Sequence, residues 1–209
     1  MKIKTSRIKP SQDNQLFPEH LADLHASGLS DKTIREAGLY SADRNGIKRL
    51  MGWVHKKVKS ALVFPYGGGF VRIKLFPSFI NDDGNTVKYL QRKGTPPRLY
   101  VPRLAAPYLQ DPKLLLYVTE GEKKTLCLCQ HGLPCVGVGG VWSWFSKGRP
   151  IPDLDRIAWR GRRVVLIGDA DVWLPKRKDL RLAIYALCKE VEARGARGDL
   201  IILPQEVEL

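Results

Sequence analysis

Leu114-Leu115-Leu116-Tyr117-Val118-Thr119-Glu120-Gly121-Glu122 is an apolar run that stops at carboxylates. Val164-Val165-Leu166-Ile167-Gly168-Asp169-Ala170-Asp171 does the same, with Asp169 lying 49 residues beyond Glu120. Each stretch reads as a buried parallel strand that delivers acids to the carboxyl edge of a sheet, where open α/β sheets place their active sites. Carboxylates gathered there offer the hard oxygen ligands that Mg²⁺ prefers, and on a basic chain this points to chemistry on phosphates.

Outward from these strands, the second half alternates strand and helix. A strand over 114–118 leads to a helix over about 122–131. Strands follow at 134–138, 164–167 and 199–204, with a loop at 139–144, a short helix at 153–159 and an amphipathic helix at 178–194. Leu180, Ala183, Ile184, Leu187 and Val191 form the apolar face of that last helix. Such alternation implies a parallel sheet with helices on both faces. The first half differs. Residues 16–40 read as short helices, with Ser30 as an N-cap. Strands at 61–66, 70–76 and 86–90 form a small antiparallel sheet, and a proline-rich connector covers 94–113. The expected fold is therefore α/β, with a basic α+β subdomain over 1–110 and a parallel-sheet catalytic domain over 111–209.

The 209 residues carry a formal net charge of +14, unevenly spread. Residues 1–113 hold 20 Lys and Arg against 9 Asp and Glu, and residues 114–209 hold 15 against 12. A basic platform beside an acidic centre suits a polyanionic partner; a solvated basic surface that aids solubility is the competing reading. The N-terminus, Met1-Lys2-Ile3-Lys4-Thr5, lacks the apolar core of a secretory signal, and residues 1–15 read as a loose arm. No apolar run is long enough to span a membrane. Cys127, Cys129, Cys135 and Cys188 lack zinc-ligand spacing and are expected as reduced thiols in a cytoplasmic protein, with no zinc.

The strand ending in Thr119-Glu120-Gly121-Glu122, followed by one ending in Asp169-x-Asp171, resembles the Toprim domain of bacterial-type primases, topoisomerases and some nucleases. The match in element order runs over 114–204. The phrases Glu120-Gly121-Glu122-Lys123-Lys124, Gly137-Val138-Gly139-Gly140-Val141-Trp142-Ser143-Trp144 and Asp169-Ala170-Asp171-Val172 resemble a Toprim-bearing family of plasmid- and phage-borne replication proteins. In the first half, Val87-Lys88-Tyr89-Leu90-Gln91 ahead of Tyr100-Val101-Pro102 resembles the N-terminal part of a primase catalytic core. The resemblance implies that Glu120 is a metal ligand or general acid/base, and that Asp169 and Asp171 hold Mg²⁺, with Mn²⁺ as a substitute. Read from the residues alone, Glu120 also suits a helix N-terminus, and Asp169 with Asp171 also suits an Asp-rich turn. If the strand persists, the two aspartates project the same way.

Arg72, Lys74, Lys88, Tyr89, Arg92 and Lys93 in the first half, and Lys124, Lys176 and Lys178 in the second, are candidates for contacts with nucleic acid or nucleotide phosphates. A solvated face for the cations and core packing for Tyr89, Trp142 and Trp144 are the competing readings. Arg160, Arg162 and Arg163 read as surface charges. The expected function is metal-dependent primer synthesis on single-stranded DNA from nucleoside triphosphates, with a helicase or other replication protein as a further partner. A Toprim nuclease and a non-catalytic nucleic-acid-binding module are the alternatives. The sequence has neither the zinc-ribbon cysteines that such primases often carry nor a G-x-x-x-x-G-K-[ST] motif. A compact core within a larger replication protein is consistent with both gaps.

Overall fold

The computed structural model describes residues 16–203, so the arm expected over 1–15 and Pro204, at the end of the last expected strand, lie outside the described residues. The first sheet contains β1 (Tyr40–Asp43), β2 (Ser60–Gly67), β3 (Phe70–Ile80) and β4 (Thr86–Gln91), in that order and antiparallel throughout. Its centre is β2, whose run Ala61-Leu62-Val63-Phe64 is buried on both faces. Ala61 and Val63 join a core with Ile47, Met51 and Ile73. Leu62 and Phe64, one residue out of phase, join another with Leu24, Leu29, Ile34, Tyr100 and Leu126. Strand side chains alternate between faces, so an unbroken apolar run here means two covered faces.

Helix α1 (Pro18–His25) and α2 (Asp31–Glu36) supply that second cover. Ser30 caps α2 as expected, its hydroxyl accepting a hydrogen bond from the Thr33 N–H at 3.3 Å. Helix α3 (Arg44–Met51) and β1 were not expected. Asp43 caps α3 by accepting from the Gly46 N–H at 2.7 Å.

The second sheet contains β5 (Leu116–Glu120), β6 (Cys135–Val138), β9 (Arg163–Ile167) and β10 (Arg197–Ile201). They run parallel in the order β10-β9-β5-β6, flanked by helices that include α4 (Glu122–Gln130) and α5 (Lys178–Ala193). Between β6 and β9 lie a hairpin, β7 (Phe145–Ser146) and β8 (Arg149–Pro150), and a 3₁₀ turn over Pro152–Arg156 where the sequence suggested a short helix. The core joins Leu116, Val118, Val136, Leu166, Ile184 and Leu187 to Leu99 and Leu109 of the connector. Leu126 of α4 and Tyr100 lie in the core that α1, α2 and the first sheet share, so the two sheets meet through packed side chains.

Three local expectations need correction. Strand β5 starts two residues later than the apolar run, because Leu114 closes a turn with its N–H on the Asp111 carbonyl at 3.2 Å. Strand β10 starts earlier than expected, at Arg197. Arg162 is not a surface charge: it is 0% exposed. Its guanidinium donates to the carbonyls of Ala158, Leu114, Tyr108 and Leu109 at 2.8–3.1 Å. A buried cation is tolerable when its donors find acceptors, and the four bonds made here stitch the connector to the root of β5.

Candidate active site

Glu120 is the last residue of β5, and β5 lies between β6 and β9. The registers Thr119↔Ile167 and Glu120↔Val138 bring the carboxyl ends of all three strands to one edge. Beyond Ile167 the chain leaves β9, and Asp169 precedes a 3₁₀ turn over Ala170–Trp173 that contains Asp171. The strand therefore does not persist through the two aspartates, and strand alternation does not set their directions.

Charge connects the three acids. Burial is the largest influence raising Glu120 above the usual carboxylate range, followed by the negative charge of Asp169 and, more weakly, of Asp171; Lys124 and Arg72 oppose the rise. Asp169 pairs with Lys124 of α4, and Asp171 accepts from Arg177 Nη1 at 2.9 Å. Among the described residues, no three Asp, Glu, His or Cys side chains converge tightly enough to form a ready metal cage. The donor chemistry nevertheless fits a hard divalent cation. All three groups are carboxylates, they share one electrostatic field, and Mg²⁺ binds through few protein ligands while keeping several waters. Lys124 and Arg177 supply the positive charge that the aspartates otherwise lack.

Glu122 lies in the first turn of α4 and is 1% exposed. One oxygen, Oε1, accepts from Tyr66 Oη at 2.6 Å and from Arg72 Nη1 at 2.7 Å. The other, Oε2, is buried without a partner. Tyr66 lies on β2 and Arg72 on β3, so this carboxylate ties the acid-bearing corner to the first sheet. Burial raises the Tyr66 hydroxyl far above its usual range, as does the Glu122 charge. The Arg72 guanidinium also lies 5.2 Å from the Tyr89 ring centroid. It lies so close to Gly139 that a Cβ there would meet Nη1 at 2.5 Å. An apolar run ending in a carboxylate marks Glu120, but the sequence carries no comparable sign of the Glu122–Arg72–Tyr66 cluster or of the Asp171–Arg177 pair.

The candidate cations divide into two groups. Arg72 and Lys74 are tied inward, Lys74 to Asp23 at 2.5 Å, and Asp23 also accepts from Lys123 at 3.1 Å. Burial raises the Asp23 carboxyl, but the hydrogen bonds from the two lysines outweigh it and hold the group below its usual range. Tyr89 is half-buried beneath Arg72. Lys88, Arg92 and Lys93 near the end of β4, and Lys176 and Lys178 after the aspartates, are exposed and form no ion pair among the described residues. The Trp142/Trp144 pair also splits: Trp144 is core at 5% exposure, whereas Trp142 is 49% exposed.

Residues 106–208 match a family described as Domain of unknown function (DUF3854). No curated protein matches the chain. Solved structures do. The chain is similar to the Aquifex aeolicus primase, in its zinc-binding and RNA polymerase domains, with a TM-score of 0.60 and 15% identity over 91% of this chain and 51% of that one. It is also similar to the DnaG catalytic core, with a TM-score of 0.57 and 18% identity over 91% of this chain and 66% of that one. The chain thus spans about half the length of the first and just under two thirds of the second. The fold is primase-like: a Toprim-like parallel sheet preceded by a basic α+β unit. Among the described residues, no helix is long and apolar enough to cross a membrane.

Proposed function

We propose that this chain is a primase-like nucleotidyltransferase core with a Toprim catalytic domain over about 111–209. Residues 1–110 form a basic platform for the template strand. The observation that carries this reading is the placement of Glu120 at the end of β5 and of Asp169 and Asp171 just beyond the end of the adjacent parallel β9. Glu120 carries no ion pair of its own among the described residues, whereas Asp169 and Asp171 are matched by Lys124 and Arg177; three carboxylates gathered at the carboxyl edge of a parallel sheet suit a divalent cation and phosphate chemistry.

Glu120, Asp169 and Asp171 would hold Mg²⁺ or Mn²⁺, which when bound neutralises triphosphate charge. The remaining work falls to side chains. Glu120 would serve either as a ligand of that cation or, uncoordinated and raised above the usual carboxylate range, as the base that takes the proton from an attacking 3′-hydroxyl. Lys124 and Arg177 are paired with aspartates in this structure. With Asp169 and Asp171 serving as metal ligands, Lys124 and Arg177 would be available to hold phosphate oxygens. Lys88, Arg92, Lys93, Lys176 and Lys178, exposed and outside ion pairs, would contact template or nucleotide phosphates. Arg72, Lys74 and Tyr89 would shape the junction between platform and catalytic edge.

Incubation of the protein with single-stranded DNA, labelled nucleoside triphosphates and Mg²⁺ or Mn²⁺ tests the proposal. Template-dependent extension supports primer synthesis. Cleavage of the strand would assign the same acids to a nuclease using water as nucleophile. Binding without either product would leave only a nucleic-acid-binding module. A plasmid or phage setting, and a helicase as partner, belong to the same proposal.

A further inference from the structure

The segment after β6 carries an aromatic surface that the acidic centre does not use. Gly139-Gly140-Val141-Trp142-Ser143-Trp144-Phe145-Ser146-Lys147-Gly148-Arg149-Pro150-Ile151 contains three aromatic residues, two basic ones and no acid. Its two short strands join through Lys147 and Gly148, both with positive φ, the backbone of a tight two-residue hairpin turn. The hairpin is rooted in the second core by Trp144 and Ile151, with the Ile151 N–H on the Trp144 carbonyl at 2.9 Å.

Trp142 stacks on Trp144 with 22° between the rings and centroids 6.4 Å apart, and Phe145 meets Trp144 edge-on at 5.4 Å. Trp144 is core, while Trp142 and Phe145 remain 49% and 39% exposed. Lys147 and Arg149 are exposed and form no ion pair among the described residues. The segment begins one residue beyond Val138, the β6 partner of Glu120, and Val141 and Glu120 line the same small cavity. A half-exposed indole stacked on a core indole, with unpaired cations in the same hairpin segment, has the composition of a base-stacking surface. A protein partner would need only the apolar component. The positive charge and the absence of acids within the segment favour a polyanion with planar rings.

We propose that the 139–151 hairpin is a binding surface for single-stranded DNA, with Trp142 as the stacking platform and Lys147 and Arg149 as phosphate contacts. This site lies outside the basic face of the first sheet. It rests on the proposed function only in naming DNA as the strand.

The test measures binding of a fluorescein-labelled oligothymidylate to the full chain without metal or nucleotide. Trp142→Ala should weaken binding about tenfold or more, the scale of one lost base–aromatic stack, with the melting temperature retained because Trp142 is not core. Trp142→Phe should keep most of the affinity. Trp53→Ala, at another exposed indole on the first unit, should leave it unchanged. Lys147→Gln with Arg149→Gln should flatten the salt dependence, by about 0.7 in log–log slope for each phosphate no longer neutralised. Wild-type affinity in Trp142→Ala would overturn the inference, as would absence of binding by the wild type. The reading of the acidic centre fails separately: loss of stacking in Trp142→Ala, in a protein that makes no nucleotide product, would remove the enzyme assignment and keep this surface.

Discussion

Arg72 on β3 donates to Glu122 at 2.7 Å, across the seam between the antiparallel and parallel sheets. Glu122 stands two residues from Glu120, and the same guanidinium lowers the Glu120 proton affinity that burial raises. One ion pair thus joins the two halves and bears on the central acid of the site.

Glu122→Leu should destabilise the protein by about 3–5 kcal/mol, because it strands a mostly buried cation. Arg72→Met combined with Glu122→Leu should recover much of that loss, since an apolar pair of similar volume commonly substitutes for a buried ion pair. Urea unfolding of the two single variants and the double variant gives the coupling. Additive losses would mean that the pair is not the link between the sheets.

Gly139→Ala should cost about 1–3 kcal/mol, the usual range for overpacking, because the new Cβ would meet the Arg72 guanidinium at 2.5 Å. The guanidinium is held by Glu122 and has little freedom to retreat. In an Arg72→Ala background the additional cost should vanish. Thermal melts of the wild type, the two single variants and the double variant check this.

Glu120→Gln should stabilise the metal-free protein at neutral pH. The carboxyl is raised above its usual value of 4.5 in the folded state, so the folded form holds its proton more tightly than the unfolded form. The stability this confers is complete below the ordinary pKa and is lost as pH rises through the raised one. The variant's advantage should therefore be absent at acidic pH, grow across that window and level off above it. Melting temperatures measured against pH check the sign. Saturating Mg²⁺ should shrink the advantage, because the cation restores a favourable charge to the wild-type carboxylate.

Arg162→Lys should destabilise the second unit by about 2–3 kcal/mol, because an ammonium cannot reproduce the planar fork that reaches four carbonyls. Hydrogen exchange should show the loss first at the root of β5, where Leu114, Tyr108 and Leu109 receive those bonds.

The sequence made the parallel sheet legible because β5, β6 and β9 are short, largely buried apolar runs separated by helical stretches, whereas the edge strand β10 begins with Arg197-Gly198-Asp199 and none of its residues is fully buried. It made Glu120 legible for the same reason. It could not show that β9 ends before Asp169, because Gly168-Asp169-Ala170-Asp171 reads equally as strand or turn. Nor could it show Glu122 as a buried anion. A first-turn Glu is ordinary on a helix, and its partners Tyr66 and Arg72 lie 56 and 50 residues away. Arg162 misled through its neighbours: in Arg160-Gly161-Arg162-Arg163, three alike cations hide the one that faces inward. Trp142 and Trp144, two residues apart, lie on opposite sides of the division between core and surface, a distinction that the turn geometry decides.

The most direct test of the central claim is a nucleotide-incorporation assay on single-stranded DNA with Mg²⁺ or Mn²⁺, comparing the wild type with Glu120→Gln, Asp169→Asn and Asp171→Asn. Melting temperature is recorded on each preparation. Template-dependent extension by the wild type is expected, abolished by chelation and reduced on the order of a hundredfold or more in each variant, with folding retained. Wild-type levels of extension in all three folded variants would contradict the claim, and so would a wild type that cleaves the strand or forms no product with either metal.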